Sequence, residues 1–219
     1  MPNLIIFDCD GVLIDSERIA CRVDAGELTA NGVTITAETL AARFCGVPYR
    51  DMYRILEAET GVKLPAGYVE RTRTLVLDAC AAEGEALAIP GIHEAIDALA
   101  GRAMCVASSS SHVWLKTMLD QVGLWRRLAP NIFSASEVAR GKPAPDLFLH
   151  AAARMATTAA ECMVIEDSVA GVTAAKAAGM KVLGFCGAGH CAPDHAKRLL
   201  AAGAMSTFDQ MSELPALLT

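Results

Sequence analysis

The sequence predicts an α/β protein: a parallel sheet covered by helices on both faces, with an all-helical segment inserted after the first strand. Two observations carry this expectation. Short apolar runs alternate with stretches of helical spacing through most of the chain, the pattern left by right-handed strand–helix–strand crossovers. The exception is 17–88, where no strand-like run occurs and the apolar positions keep a helical period.

The elements follow in order. Residues 4–7, Leu-Ile-Ile-Phe, form an uninterrupted apolar run that suits a strand buried on both faces, and Gly11 marks where the backbone turns away. Further strands are predicted over 104–107, 131–134, 163–165 and 181–185. Helices are predicted over 92–100, 111–122, 145–155 and 169–178, the last closed by Gly179, with 192–202 and 210–218 completing the layers. Within the insert the clearest helices cover 19–31, 52–60 and 68–83, broken at 46–48 and 61–67. The expected division is a core of 1–15 and 89–219 and a helical cap of 16–88. Two short connections lying side by side, Asp15-Ser16 and Ala88-Ile89-Pro90-Gly91, make a hinge, and hinged lids exclude water from reactive sites.

The first strand runs into Asp8-Cys9-Asp10-Gly11, two carboxylates two positions apart and a glycine. If the chain is still near-extended there, a period of two points both acidic side chains the same way. Like charges so close repel, and a site tolerates them with a proton or a divalent cation between them. Alone, such a pair is more readily a solvated turn. Three later segments change that reading, because each sets a needed residue type just after a strand-like run: Ser108 and Ser109, Lys142 before Pro143, and the doublet Glu166-Asp167. In an open α/β sheet the loops at the carboxyl ends of the strands meet in one crevice.

In that order, Asp8-Cys9-Asp10-Gly11-Val12-Leu13, Ser108, Lys142-Pro143 and Glu166-Asp167-Ser168 resemble the four motifs of the haloacid dehalogenase-like hydrolase superfamily. The second aspartate of the first motif, and the helical insert directly after it, resemble the phosphatase and β-phosphoglucomutase branch. The resemblance spans essentially the whole chain and implies a Rossmann-like core with an inserted cap. It implies Asp8 as a nucleophile that splits one hard displacement into two easier ones, and Asp10 as the acid and base serving the leaving alcohol and the attacking water. The clustered ligands are all oxygens, which suits Mg²⁺ held by Asp8, the Asp10 backbone carbonyl, Asp167 and Glu166, the last directly or through water. Ser108, the backbone amides after it at Ser109 and beyond, and Lys142 supply donors and positive charge for a transferring phosphoryl group.

The reaction expected is hydrolysis of a small phosphorylated metabolite, a sugar phosphate or a sugar-acid phosphate such as 6-phosphogluconate. The alternative is a phosphomutase of the β-phosphoglucomutase type, which needs a cationic lid to hold its bisphosphate intermediate. Halide displacement has no use for Asp10 or a metal, and a non-catalytic sensor would have lost one of Asp8, Asp10, Lys142 or Asp167; all four are present. The segment from Arg43 to Arg50 resembles the lid loop that reaches into the site, with Gly46 at its glycine. That loop often carries a lysine just before the glycine, and here the position is Cys45. Arg43 or Arg50 is expected to replace it and clamp a second anionic group; the alternative is a pair of surface arginines at helix ends.

Composition agrees. At 219 residues, 53% hydrophobic and 20% charged, the chain is long enough for a substantial core. No apolar run reaches the 18 or so residues a membrane span needs, and the first residues lack a signal-peptide pattern, so the expected location is cytoplasmic. A formal charge of −6 without a basic block disfavours nucleic acid as a partner, leaving a small phosphorylated metabolite and a monomer or weak homodimer. The eight cysteines contain no Cys-x-x-Cys pair and read as reduced core residues. Cys186, His190, Cys191 and His195 fit no standard zinc spacing.

Overall fold

The computed structural model describes residues 1–44, 47 and 49–219. After β1 (Leu4–Phe7) come four helices, α1 (Ser16–Ala30), α2 (Ala37–Phe44), α3 (Tyr49–Thr60) and α4 (Tyr68–Glu83), with no strand among the described residues until α5 (Ile92–Ala98) and β2 (Ala103–Ser108). The chain then alternates: α6 (His112–Gln121), α7 (Trp125–Leu128), β3 (Ile132–Ser134), α8 (Asp146–Arg154), β4 (Cys162–Glu166), α9 (Val169–Ala177), β5 (Lys181–Phe185), α10 (His195–Ala202), β6 (Ser206–Phe208) and α11 (Leu214–Leu217).

All six strands are parallel, in the order β3-β2-β1-β4-β5-β6. The order reverses at β1, where the chain fills one side of the sheet before crossing to the other, and that switch point opens a crevice at the carboxyl ends of the strands. Register brings the reactive residues there. Phe7 pairs with both Val106 and Ile165, so the residues just after them, Asp8, Ser108 and the Glu166-Asp167 doublet, leave the sheet at one edge.

The period of two along β1 sends Ile5 and Phe7 to one face and Leu4 and Ile6 to the other, and all four are fully buried. One face packs against Leu115, Met118 and Leu119 of α6, the other against Leu147 and Phe148 of α8 and Val172 of α9. The helical segment has an apolar cluster of its own, built from Leu28, Leu40, Phe44, Met52, Tyr53, Leu56 and Tyr68. Its tie to the sheet runs through Ile19 of α1 and Val76 and Cys80 of α4, which pack into the sheet's core.

Three elements went unpredicted, among them the single turn of α7. Helix α2 buries only Leu40, Ala41 and Phe44, too few turns for the spacing to stand out. Strand β6 is three residues at the sheet edge, with two of them half-buried, so it shows neither a long apolar run nor alternation. The predicted helix over 210–218 is a 3-10 turn followed by the four residues of α11. No helix among the described residues is long and apolar enough to cross a membrane.

Candidate active site

At the end of β1 the Cys9 carbonyl accepts from the amides of Val12, Leu13 and Ile14, a tight turn that needs Gly11 at φ 84°. Glycine is required there for space as well, since a Cβ would stand 2.0 Å from Asp167 Oδ2. Gly171 does the same for Glu166, where a Cβ would fall 1.7 Å from Oε1. Removing two side chains lets the acidic doublet press against β1 and α9. The role of Gly171 was not foreseen, because a glycine inside a helix looks like a mere defect in sequence.

Lys142 reaches in from the loop after β3, with Nζ 2.7 Å from Asp8 Oδ1 and 2.6 Å from Glu166 Oε1. Burial works against its charge, yet the Asp8 and Glu166 carboxylates outweigh burial and hold its pKa above the ordinary lysine value. The other Glu166 oxygen accepts from the Ser168 amide at 2.7 Å and the Ser168 hydroxyl at 2.9 Å, and that hydroxyl also caps α9 by accepting from Gly171 N. Glu166 is therefore tethered through both oxygens. Asp167 is the opposite case: it is buried, and neither carboxylate oxygen accepts a hydrogen bond among the described residues. Burial drives the pKa of both Asp8 and Asp167 well above the usual carboxylate range; Lys142 opposes this at each, and Glu166 reinforces it.

Ligand oxygens of Asp8, Glu166 and Asp167 all lie within 4.8 Å of one another. Three carboxylates face one ammonium, an excess of negative charge around two Asp167 oxygens that accept no hydrogen bond, although His190 Nε2 stands 3.0 Å from Oδ2, and an oxygen-only donor set of this kind fits a hard divalent cation.

Asp8 and Asp10 both line one chamber, as expected, but they are held by different partners. The chain bends at Cys9, and Asp8 is held by Lys142 while Asp10 is held from α1, α6 and the loop before α6. Asp10 Oδ1 accepts from Ser16 Oγ at 2.6 Å and from the Trp114 indole at 2.9 Å; Oδ2 accepts from Ser110 Oγ at 2.6 Å and lies 3.5 Å from Ser108 Oγ. Ser108 is buried and takes the Ser110 amide at 3.0 Å, while Ser111 caps α6. Ser16, Ser110 and Trp114 went unread in the sequence, since none lies in a motif and only the fold turns them toward Asp10.

A 70 Å³ chamber lined by Asp8, Asp10, Ser108, Ser109, Lys142 and Asp167 adjoins a cavity of about 460 Å³ between the sheet edge and the helical segment. Of the predicted lid residues, Arg50 lines the large cavity. Arg43 does not. Its guanidinium is bound by both oxygens of Glu59 at 2.6 and 2.8 Å and lies over the Phe44 ring, so it braces α2 against α3 and the expectation that it binds substrate is corrected. Gly46 and Cys45 lie outside the described residues. Arg73 of α4, unread in the sequence because it sits in a plain helical run, also lines the cavity. Glu17 lies where cavity and chamber meet, its pKa pushed up to about 8 by burial and then by Asp10.

A family model for haloacid dehalogenase-like hydrolases matches residues 2–179. The chain belongs to this family. It is 32% identical over 217 residues to 6-phosphogluconate phosphatase of Escherichia coli K12, covering 97% of this chain and 93% of that protein. Among solved structures, a haloacid dehalogenase-like protein of Agrobacterium tumefaciens is 39% identical with a TM-score of 0.90, covering 100% of this chain and 98% of that one. A family hydrolase of Deinococcus radiodurans with bound phosphate and sodium is 32% identical with a TM-score of 0.82, covering 99% and 94%. This haloacid dehalogenase-like chain is a phosphatase, a phosphoric monoester hydrolase.

Proposed function

We propose that the chain is a Mg²⁺-dependent phosphatase for a small sugar phosphate or sugar-acid phosphate, with 6-phosphogluconate the leading candidate, acting through a phosphoryl-aspartate on Asp8. The observation that carries this reading is the chamber itself, where a lysine-bound Asp8 stands beside the unpartnered oxygens of Asp167. Asp8 and Asp167, with the Asp10 backbone carbonyl, would hold Mg²⁺, whose charge would offset the phosphate and the carboxylates crowded around it. Glu166 serves this site through its tethers, fixing Lys142 and shaping the wall behind Asp167.

In the first step a carboxylate oxygen of Asp8 forms a bond to phosphorus, the ester P–O bond breaks, and the departing alkoxide takes a proton from Asp10. In the second, Asp10 takes a proton from water as that water's oxygen attacks phosphorus, which frees Asp8 and inorganic phosphate. Ser108, the Ser109 amide and Lys142 support the equatorial oxygens. Residues 16–88 act as a cap over this chamber. Arg50 and Arg73 stand on the cap side of the cavity, which favours a substrate with a second anionic group, and the E. coli relative is named for such a sugar acid.

Phosphate release should be measured across a panel including 6-phosphogluconate and glucose 6-phosphate, with and without Mg²⁺. The reading expects release only with Mg²⁺, higher kcat/KM for the sugar acid, and a loss on the order of 10⁴-fold or more in Asp8→Asn. Conversion of a hexose 1-phosphate to its 6-phosphate without phosphate release would replace it with the mutase.

A further inference from the structure

On the far side of Asp167 the loop after β5 gathers a second set of donors. A ring nitrogen of His190, the Cys191 sulfur and a ring nitrogen of His195 all lie within 4.8 Å of one another. Their spacing in sequence fits no zinc motif, yet the fold brings these three together. The loop is fixed from both ends: the Gly189 amide donates to Asp15 Oδ1 at 3.0 Å, and His195 opens α10 with Nε2 2.5 Å from the Asp167 carbonyl, to which it donates. That bond leaves the lone pair of His195 on Nδ1.

The cluster is chemically incomplete. The His190 side chain is only 1% exposed, and its Nδ1 has no partner. Its Nε2 lies 3.0 Å from Asp167 Oδ2, without the alignment of a hydrogen bond, and 3.8 Å from Cys191 Sγ. A tetrahedral ion with Zn–N near 2.1 Å and Zn–S near 2.3 Å spaces its donors roughly 3.3 to 3.7 Å apart, so small side-chain rotations would bring these atoms onto one ion. Two imidazoles and a thiol are borderline-to-soft ligands, the wrong set for Mg²⁺ and the right one for Zn²⁺. Cys191 is half-buried, which leaves the cluster a path to solvent.

We propose that His190, Cys191 and His195 form a site for Zn²⁺ or a similar thiophilic divalent ion, separate from the oxygen-lined chamber, and that an ion held there draws Asp167 Oδ2 toward itself and inhibits the enzyme. Binding exchanges the Cys191 S–H bond for a sulfur–metal bond and releases that proton to solvent; both histidines bind neutral. The inhibitory half rests on the reading of Asp167 as a Mg²⁺ ligand. The binding half does not.

The probe is Co²⁺, added to the full-length reduced protein in millimolar Mg²⁺ so that the oxygen ligands are already engaged. One equivalent should raise a thiolate-to-cobalt charge-transfer band in the near ultraviolet, bleached by one equivalent of Zn²⁺ and absent in Cys191→Ser. In the unaltered protein, Zn²⁺ should protect Cys191 from alkylation, read by peptide mass, which keeps the test independent of how the variant folds. The absence of both the band and the protection, or a band that persists in Cys191→Ser, overturns the site. Zn²⁺ should also inhibit phosphate release, with half-inhibition shifted upward about tenfold or more in Cys191→Ser. Stoichiometric binding without inhibition would overturn the coupling to Asp167 while leaving the site, and phosphate release that never needed Mg²⁺ would instead sink the phosphatase scheme.

Discussion

The sheet side of the chamber and the helical side of the adjoining cavity treat charge differently. On the sheet side most ionic groups are tied: Lys142 holds Asp8 and Glu166, Ser168 holds the rest of Glu166, and Asp167 accepts no hydrogen bond among the described residues. On the helical side Arg50 and Arg73 have no ion-pair or hydrogen-bond partner among the described residues, while Arg43, which does not face the cavity, is fully engaged by Glu59. Fixed charges before substrate arrives are what preorganised phosphoryl transfer needs, because reorganising them during the reaction would add to the barrier. Unpaired arginines suit recognition, since a ligand anion can take them without first breaking a salt bridge.

The hardest blow to this contrast is Lys142→Met. With its side chain 4% exposed, its loss leaves Asp8 and Glu166 buried without a counter-ion. Removing one member of such a pair costs about 3–5 kcal/mol, and losing a fixed transition-state cation costs about 10²- to 10³-fold in kcat. Urea unfolding and steady-state kinetics on the same preparation would check both. If activity falls and stability does not, the lysine is not the keystone of the sheet wall.

The helical side should respond to pH as well. Burial raises the Asp24 pKa to about 6, against the pull of the hydrogen bonds it accepts, such as that from Tyr53 Oη at 2.8 Å. A buried acid with a raised pKa binds more protons folded than unfolded, so it lowers stability as pH climbs from about 4 to about 6 and then adds no further change. The drop is on the order of 3 kcal/mol. Asp24→Asn keeps the acceptor for Tyr53 and should remove Asp24's share of that limb, leaving the share that Asp8, Asp167 and Glu17 contribute, read as the difference between variant and parent melting curves across pH 4–7.

This difference between the walls also explains what sequence could tell. Asp8, Ser108, Lys142 and the Glu166-Asp167 doublet were legible because each follows a strand or a short loop, and a parallel sheet delivers strand ends to one edge whatever the helices do. Arg73 was not, because a cavity-facing arginine on a helix looks like any solvated one until the neighbouring helices are placed. Arg43 could not be decided for the same reason: only the packing of α2 on α3 reveals Glu59 opposite it, which favours the helix-end arginine. Trp114 and Ser16 lie outside any motif and gain meaning from the turn at Cys9, which no periodicity announces.

Arg50→Ala and Arg73→Ala sharpen the recognition half. Each should raise KM for 6-phosphogluconate about 10- to 100-fold, the worth of one charge-assisted hydrogen bond, with kcat nearly unchanged. For glucose 6-phosphate, which lacks the carboxylate, KM should barely move. Equal losses on both substrates would mean that the arginines meet the phosphate or hold the fold, and the division of labour between the walls would fail.

Asp10 stands where the walls meet, and it gives the finest test. Ser110 and Trp114 hold it from the sheet side, and Ser16 holds it from the first residue of the helical segment. A carboxyl group held by donors from both walls would change surroundings with any movement of one against the other. Trp114→Phe removes one donor while keeping an aromatic ring, a change of about 1 kcal/mol or roughly fivefold in rate. Because the indole N–H donates only to Asp10, the proposed acid and base, the loss should appear with alkyl phosphates, whose leaving oxygen needs a proton, and vanish with 4-nitrophenyl phosphate, whose leaving group does not. A loss of the same size on both substrates would assign Trp114 to packing rather than to the positioning of Asp10.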